Sequence, residues 1–229
     1  MTRLNRDCDE PTPAAAPPEA ERRHALVGPA NLWAIKREFQ IRFLKAMKLA
    51  PESYLFDVGC GTLRGGLPLI EYLHEGHYFG CEVREHVLNE GRLELQEAGL
   101  NWKNPVLLLT PDISRLNVDR KFDFIWAFSV LIHMKDEVLD STLAFASRHL
   151  SDNGVFYANI NAGCTPDGEW QGFPVVWRTL DFYQSACARH GLTLSDLGPL
   201  SAHGHVLDVA AQDHQRMLRI MRFDSSLRG

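Results

Sequence analysis

The sequence lacks the features that mark secreted, membrane-spanning and nucleic-acid-binding proteins. Its five cysteines lie far apart, without a C-x-x-C pair for zinc or redox chemistry and without the density of a disulfide scaffold. No apolar run approaches the length of a membrane span, and residues 1–10 mix charges without an apolar signal-peptide core. The net charge is −5 and the pI is about 6.0, which gives no electrostatic footprint for phosphate backbones. We therefore expect a cytoplasmic protein with reduced thiols and with neither a membrane nor a nucleic-acid partner.

The sequence contains enough apolar residues for one domain of ordinary size. It has 229 residues, of which 45% are hydrophobic. Residues 1–24 are rich in proline and small residues and have little to bury, which predicts a disordered tail. In residues 31–49 apolar side chains recur at helical spacing, which predicts a helical cap over about residues 29–50. The prediction is a single domain formed by residues 25–229.

Strand-like and helix-like segments alternate along the rest of the chain. Short apolar runs bounded by turn residues predict strands, and amphipathic stretches between them predict helices. The predicted strands are 54–57, 78–82, 105–109, 122–128, 155–160, 192–197 and 215–222, and the clearest predicted helices are 64–73, 85–98 and 179–190. This alternation implies right-handed βαβ units and a mostly parallel, doubly wound α/β sheet.

The run of residues 54–62 is the most informative segment of the chain. An apolar strand ends at Asp57 and is followed by a bend that contains Gly59 and Gly61. Glycine permits positive φ and lets a ligand approach the backbone, and such bends mark ligand-binding corners of doubly wound sheets. A dinucleotide fingerprint requires Gly or Ala three residues after Gly61, where Arg64 stands. NAD or FAD binding is therefore disfavoured.

This run resembles motif I of class I S-adenosylmethionine (SAM)-dependent methyltransferases, in which an acidic residue precedes a G-x-G bend. The usual third glycine of the motif falls at Leu63. The resemblance covers roughly residues 52–222 and is strongest over residues 54–161. It implies a Rossmann-like sheet of seven strands, mostly parallel with the last strand antiparallel, and it implies SAM as the cofactor.

Acidic residues stand at the ends of three successive predicted strands. Asp57 ends the first strand, Glu82 ends the second, and Asp112 follows the third. A doubly wound sheet brings these positions to one rim. Glu82 lies 25 positions after Asp57, near the interval of about 20 residues typical of acidic ribose ligands. Asp112 alone could equally cap a turn.

The resemblance assigns parts of the cofactor to these residues. It implies that Glu82 accepts hydrogen bonds from the ribose hydroxyls, that Val83 packs on the adenine, and that Asp112 with the backbone of Ile113 reads the adenine edge. It also implies a group that holds the methionine end: Asp57, Gly59, Cys60, Gly61, Phe128 and Ser129. Arg64 could bind a carboxylate of SAM or of the acceptor, or it could be an exposed arginine at a helix start.

His133 is the candidate catalytic residue. Methyl transfer mainly requires alignment and exclusion of water, and a base is needed only when the acceptor carries a proton. His133 follows the fourth strand, where family members place acceptor-facing groups; the alternative is a histidine that only packs. The candidate acceptor contacts are Trp33, Asn161, Trp170 and Trp177. Trp170, Phe173 and Trp177, which could line the acceptor pocket, lie in a predicted long loop of residues 163–177.

A metal site is not expected. The aspartate pair of magnesium-dependent relatives is not evident, and His203 and His205 lack a nearby carboxylate cluster. The leading hypothesis is a SAM-dependent methyltransferase that acts on O or N of a small, natural-product-like acceptor. The alternatives are a protein or RNA methyltransferase and a SAM-binding module without catalysis.

Overall fold

The computed structural model describes residues 19–206 and 214–223, so most of the predicted tail lies outside the described residues. Helices alternate with strands along most of the chain. The helices are α1 (Glu19–Ala25), α2 (Trp33–Ala46), α3 (Gly66–Tyr72), α4 (Glu85–Glu97), α5 (Asp136–His149) and α6 (Leu180–Arg189). The strands are β1 (Leu55–Val58), β2 (Tyr78–Glu82), β3 (Val106–Leu109), β4 (Phe122–Ala127), β5 (Leu150–Asn161), β6 (Gly168–Trp170), β7 (Phe173–Val175), β8 (Leu192–Pro199) and β9 (Gln215–Arg222).

Seven of the strands form one sheet in the order β3-β2-β1-β4-β5-β9-β8. Pairs among the first five strands are parallel, whereas β9 is antiparallel to both β5 and β8. The predicted fold class is therefore confirmed, including the antiparallel last strand. Strand order reverses between β1 and β4, and such a switch point opens a crevice at the carboxyl ends of the strands.

The hydrophobic core lies on both faces of this sheet. β1 is buried at all four of its positions and β2 at all five, as expected for central parallel strands covered by helices on both sides. On one face α5 contributes Leu139 and Leu143. On the other face α2 contributes Phe39 and Phe43. The two layers hold the strand ends, and therefore the crevice, in place.

The predicted tail reaches too far into the chain, because residues 19–25 form α1. Arg23 holds this helix against α4 through Glu90 (2.9 Å), Glu94 (3.7 Å) and Glu97 (2.8 Å). The tail composition hid this helix since its docking rests on ion pairs with residues far along the chain. The segment of residues 26–29, which we call the strap, then crosses the glycine-rich bend.

The predicted loop of residues 163–177 contains a hairpin formed by β6 and β7. Gln171 and Gly172, with φ of 49° and 79°, connect the paired residues Trp170 and Phe173. Two consecutive positive φ values are the geometry of a tight hairpin turn that matches strand twist. The loop prediction is wrong for these residues because the strands have only three residues each and little alternation in sequence.

Within the described residues, no helix has the length and apolar character that a bilayer span requires. Cys60, Cys81, Cys164 and Cys187 are free thiols.

Candidate active site

A cavity of about 930 Å³ opens at the switch point of the sheet. Its walls come from the carboxyl ends of the central strands, from the strap and from the β6–β7 hairpin. The predicted site residues that line it are Gly59, Gly61, Arg64, Glu82, Val83, Asp112, Ile113, Phe128, Ser129, His133, Asn161, Trp170 and Trp177. Asp57 and Cys60 line a separate pocket of about 30 Å³, which shares Val27, Gly59, Gly61, Arg64 and Phe128 with the large cavity.

The bend after β1 follows a left-handed path at three alternate residues. Gly59, Gly61 and Leu63 have φ of 69°, 59° and 60°. A Cβ atom on Gly59 would lie 2.7 Å from Cγ2 of Val130, and one on Gly61 would lie 2.8 Å from Cγ1 of Val27. Leu63 therefore keeps the backbone path of the glycine it replaces, and its side chain is fully buried in the core.

Glu82 presents a fixed carboxylate at the cavity wall. Its Oε1 accepts hydrogen bonds from the backbone N–H groups of Val83 (2.9 Å) and Arg84 (3.0 Å), and its Oε2 accepts from that of Gly61 (3.2 Å). The residue is only 4% exposed. A carboxylate has about four acceptor positions, so Oε2 keeps capacity for a ligand hydroxyl.

Asp57 is buried beneath the bend and accepts a hydrogen bond from the Tyr78 hydroxyl (2.7 Å). Burial raises the pKa of Asp57 to about 7, although the Tyr78 hydrogen bond and the charge of Arg64 act in the opposite direction. A cationic ligand group beside Asp57 would favour its ionised form.

Arg64 is not an exposed helix-start residue. It is 7% exposed, its Nη1 donates to the carbonyl oxygen of Val27 in the strap (2.7 Å), and its buried Nε has no hydrogen-bond partner among the described residues. Arg64 lines the cavity and has no carboxylate partner within hydrogen-bond distance among the described residues, so an anionic ligand group would match its charge.

Asp112 caps the short 3-10 turn Ile113–Arg115. Its Oδ1 accepts from the Ser114 N–H (2.9 Å) and hydroxyl (2.6 Å), and these hydrogen bonds lower the pKa of Asp112. The capping alternative is therefore present in the structure, and Asp112 also lines the cavity beside the buried Ile113.

Two residues after β4 lies Ser129, which, like Leu63, is a non-glycine residue with a positive φ (59°). Its N–H donates to Oδ1 of Asn159 on the neighbouring strand β5 (2.6 Å). Phe128 beside it is buried and stacks parallel to Trp126 at 5.7 Å. These contacts fix the direction in which the chain leaves β4 towards His133.

The geometry of His133 settles its neutral tautomer. Its Nδ1 lies 2.8 Å from the carbonyl oxygen of Pro174, so Nδ1 carries the proton and donates it. Nε2 is then the acceptor nitrogen. Burial lowers the pKa of His133, and the charges of Lys36 and Arg84 act in the same direction, whereas the hydrogen bond to Pro174 opposes them. The imidazole is therefore neutral at pH 7 and able to accept a proton.

The β6–β7 hairpin brings aromatic side chains over the cavity. Trp170 stacks on His133 at 5.8 Å, and Phe173 lies 5.0 Å from the guanidinium of Arg84. Arg178 anchors the segment after the hairpin through Asp167 (2.7 Å) and Asp136 (3.0 Å).

Two further predicted acceptor residues border the cavity near the hairpin. The Trp177 N–H donates to Oδ1 of Asp167 (3.1 Å), and Asn161 donates to the carbonyl oxygen of Val176 (3.3 Å). Trp33 does not line the cavity; it stacks on His24 at 3.9 Å, between α2 and α1.

Comparison with known proteins identifies the domain. Residues 56–156 match a family profile described as "Methyltransferase domain". The matched segment is a methyltransferase domain, and the chain has the fold of class I SAM-dependent methyltransferases. No curated protein sequence matches this chain.

Solved methyltransferases share the fold at low sequence identity. A SAM-dependent methyltransferase from Clostridium acetobutylicum is 15% identical with a TM-score of 0.63, covering 84% of this chain and 92% of that one. Magnesium protoporphyrin IX methyltransferase from Synechocystis, with bound SAM, is 16% identical with a TM-score of 0.59, covering 82% and 79%. The glycopeptide N-methyltransferase MtfA, in complex with SAM, is 13% identical with a TM-score of 0.62, covering 81% and 87%.

Several cavity residues of this methyltransferase were missed by the sequence analysis. Lys36 on α2, Arg84 after β2 and the strap all line the cavity. The charged residues lie at positions that a helix or turn commonly exposes, so their burial was not visible in the sequence. The one sequence signal for these residues was that the strap directly precedes the predicted helical cap, which was expected near the carboxyl ends of the strands.

Proposed function

We propose that this methyltransferase transfers the SAM methyl group to O or N of a small, natural-product-like acceptor. The observation that carries the proposal is one continuous cavity of about 930 Å³. It joins the rim of Glu82 to the group formed by His133 and Trp170. Ligand pockets span about 300–1,000 Å³, and this cavity lies near the upper end of that range, which leaves room for a compact acceptor beside the cofactor.

The cofactor contacts in this proposal follow the donors and acceptors of the wall. Glu82 binds the ribose hydroxyls through Oε2, and Val83, exposed at the mouth, packs on the adenine. Asp57 and the backbone of the bend receive the amino group of the methionine end, and the guanidinium of Arg64, a residue that lines both pockets, attracts its carboxylate. Asp112 and the backbone of Ile113 lie at the adenine edge of the same wall.

SAM, when bound, would supply an electrophilic methyl group, whose bond to sulfur breaks as the bond to the acceptor forms and the sulfonium becomes the neutral thioether of S-adenosylhomocysteine. His133 then positions the acceptor and takes its proton at Nε2, because Nδ1 is committed to Pro174. The hairpin over the cavity excludes water and aligns the acceptor. Coverage from two sides favours a small molecule over a protein or RNA chain, and two structural neighbours are named for a porphyrin and a glycopeptide.

The cofactor part is tested by calorimetry with S-adenosylhomocysteine (SAH) on wild type and Glu82→Gln. We expect the variant to lose about 1.5–3 kcal/mol of binding free energy, since charge-assisted hydrogen bonds to the ribose weaken. Glu85→Gln, an exposed acid three residues on, is the matched control and should bind like wild type. Unchanged SAH affinity in a folded Glu82→Gln protein would remove Glu82 from the cofactor site.

The acceptor part is tested with methyl-labelled SAM and a panel of small phenols, amines and carboxylic acids, beside unrelated peptides and RNA. Labelled small-molecule product supports the proposal. Label in peptide or RNA alone, or SAH binding with no transfer to any acceptor, would contradict it.

A further inference from the structure

Two cationic side chains in the cavity wall have no carboxylate partner among the described residues. Lys36 is half-buried and its ammonium forms no hydrogen bond or ion pair with them, and Arg64 leaves its buried Nε unpaired. Nη1 of Arg64 and Nζ of Lys36 lie 3.6 and 3.8 Å from the position that a Cβ atom on Gly28 would occupy. The two cations therefore lie side by side beneath the strap.

The charge of Lys36 reaches the side of the cavity that holds the candidate base. It lowers the pKa of His133 and of His205, in both cases after the larger effect of burial. His205 is 1% exposed and has no hydrogen-bond partner at either ring nitrogen among the described residues. Lys36 thus borders the same cavity as the cofactor rim and His133.

Cofactor binding does not supply a counter-charge for Lys36. SAM carries a sulfonium and an ammonium against one carboxylate, so it brings net positive charge, and its carboxylate is matched by Arg64 in the proposed function. Glu82 is occupied by Arg84 at 3.3 Å and by backbone N–H groups. Burial and the charge of Arg64 lower the pKa of Lys36 to about 8, so most of the ammonium stays charged at pH 7. An unpaired, partly desolvated cation is costly unless a ligand anion accompanies it.

We propose that Lys36 binds a carboxylate of the methyl acceptor, so that the acceptor is an anionic small molecule with an apolar or aromatic body. This inference rests on the proposed function. The aromatic residues Trp170, Phe173 and Trp177 line the same cavity and supply the surface for the apolar body. Lys36 is then a specificity-determining residue that orients the acceptor towards His133.

Benzoate and its neutral analogue benzamide serve as probes, titrated by calorimetry into the SAH complex of wild type and Lys36→Met. In wild type we expect benzoate to bind at least about tenfold more tightly than benzamide, as for one charge-assisted contact. Lys36→Met should remove the preference for benzoate and leave the benzamide affinity within about twofold of wild type. Lys36→Arg should retain part of the preference for benzoate. Lys135→Met, which removes an exposed cation from the same cavity, should retain the preference.

Three results would overturn the inference. In the first, benzoate and benzamide bind wild type with equal affinity. In the second, Lys135→Met has the same effect as Lys36→Met, which would show that the positive electrostatic potential of the cavity as a whole, and not Lys36, attracts benzoate. Lys36→Met could instead weaken SAH while leaving methylthioadenosine unaffected, which would assign Lys36 to the cofactor carboxylate. If wild type binds no SAH, the proposed function fails, and the benzoate comparison on the ligand-free protein still decides the anion subsite.

Discussion

Leu63 and Ser129 adopt a backbone conformation that non-glycine residues rarely take, with φ of 60° and 59°. Such residues cost of the order of 1–3 kcal/mol and persist where the surroundings determine them. Leu63 is held by complete burial, and Ser129 by its N–H bond to Asn159. Both lie where a strand end turns into the cavity wall, so the contacts that hold these two residues also shape the proposed cofactor rim.

Asp57 predicts a pH dependence of SAH binding. Its pKa of about 7 in the folded protein exceeds the unfolded value, so the folded state binds more protons, and the stability of the ligand-free protein falls as pH rises from about 4 to 7. An ammonium group beside Asp57 reverses this preference, because it favours the carboxylate. Calorimetry should find SAH affinity rising about tenfold from pH 6 to pH 8, with proton release. The same slope in Asp57→Asn would assign the effect to another group.

His133→Asn tests the proposed proton transfer. The asparagine amide can still donate to the Pro174 carbonyl, but it has no basic nitrogen. With an acceptor from the labelling assay that carries a proton, we expect kcat to fall by about 10²–10⁴ while the Kd for SAH stays unchanged. Burial holds the pKa of His133 below its usual value of about 6.5. We therefore expect the wild-type rate to fall with decreasing pH only below about pH 6.5, where His133 becomes protonated. A variant with near-native turnover and the same pH–rate profile would leave His133 as a packing residue.

At the scale of elements, α1 and the strap behave as one cover over the cofactor rim. Arg23 holds α1 to α4, and the strap carbonyls of Leu26 and Val27 accept hydrogen bonds from Arg84 (3.0 Å) and Arg64 (2.7 Å). The cover therefore contacts the cavity through the same arginines that border the proposed ligands.

Arg23→Met should loosen this cover. We expect amide hydrogen exchange over residues 19–29 to rise several-fold and SAH affinity to fall, because the strap closes one wall of the cavity. Arg22→Met, which removes an exposed neighbouring arginine, is the matched control and should change neither quantity. If exchange rises while SAH affinity is unaffected, the strap takes no part in holding the cofactor.

At the scale of the whole molecule, the cavity lies where strand order reverses, so its walls come from segments throughout the chain. A ligand bound there would contact the strap, the sheet and the hairpin at once. Binding to the folded state alone adds stability by mass action.

Thermal unfolding should therefore report cofactor binding. At an SAH concentration of 100 times Kd, we expect about 2.7 kcal/mol of added stability and a rise in Tm of roughly 5–10 °C for a chain of this size. Glu82→Gln should show a smaller rise at the same concentration. A wild-type Tm that does not move in saturating SAH would contradict cofactor binding in this cavity.

The amino-acid sequence predicted elements whose character is local. The spacing of apolar residues and the positions of turn residues predicted both ends of β2 and β9 correctly, and they predicted α4 with an error of one residue at its carboxyl end. It predicted β5 to begin at residue 155, but the strand begins at Leu150 because the ladder with β4 continues through a register shift. Such a shift depends on the partner strand.

The sequence by itself determined the fold class and the acidic and glycine residues of the rim, because both follow from short-range patterns in consecutive residues. Tertiary structure decided the rest. It brought Lys36 beside Arg64, docked α1 through Arg23, folded the β6–β7 hairpin over His133 and placed Trp33 away from the cavity. These outcomes depend on burial and charge contacts between residues distant in the chain, and no local pattern encodes which distant partner a side chain meets.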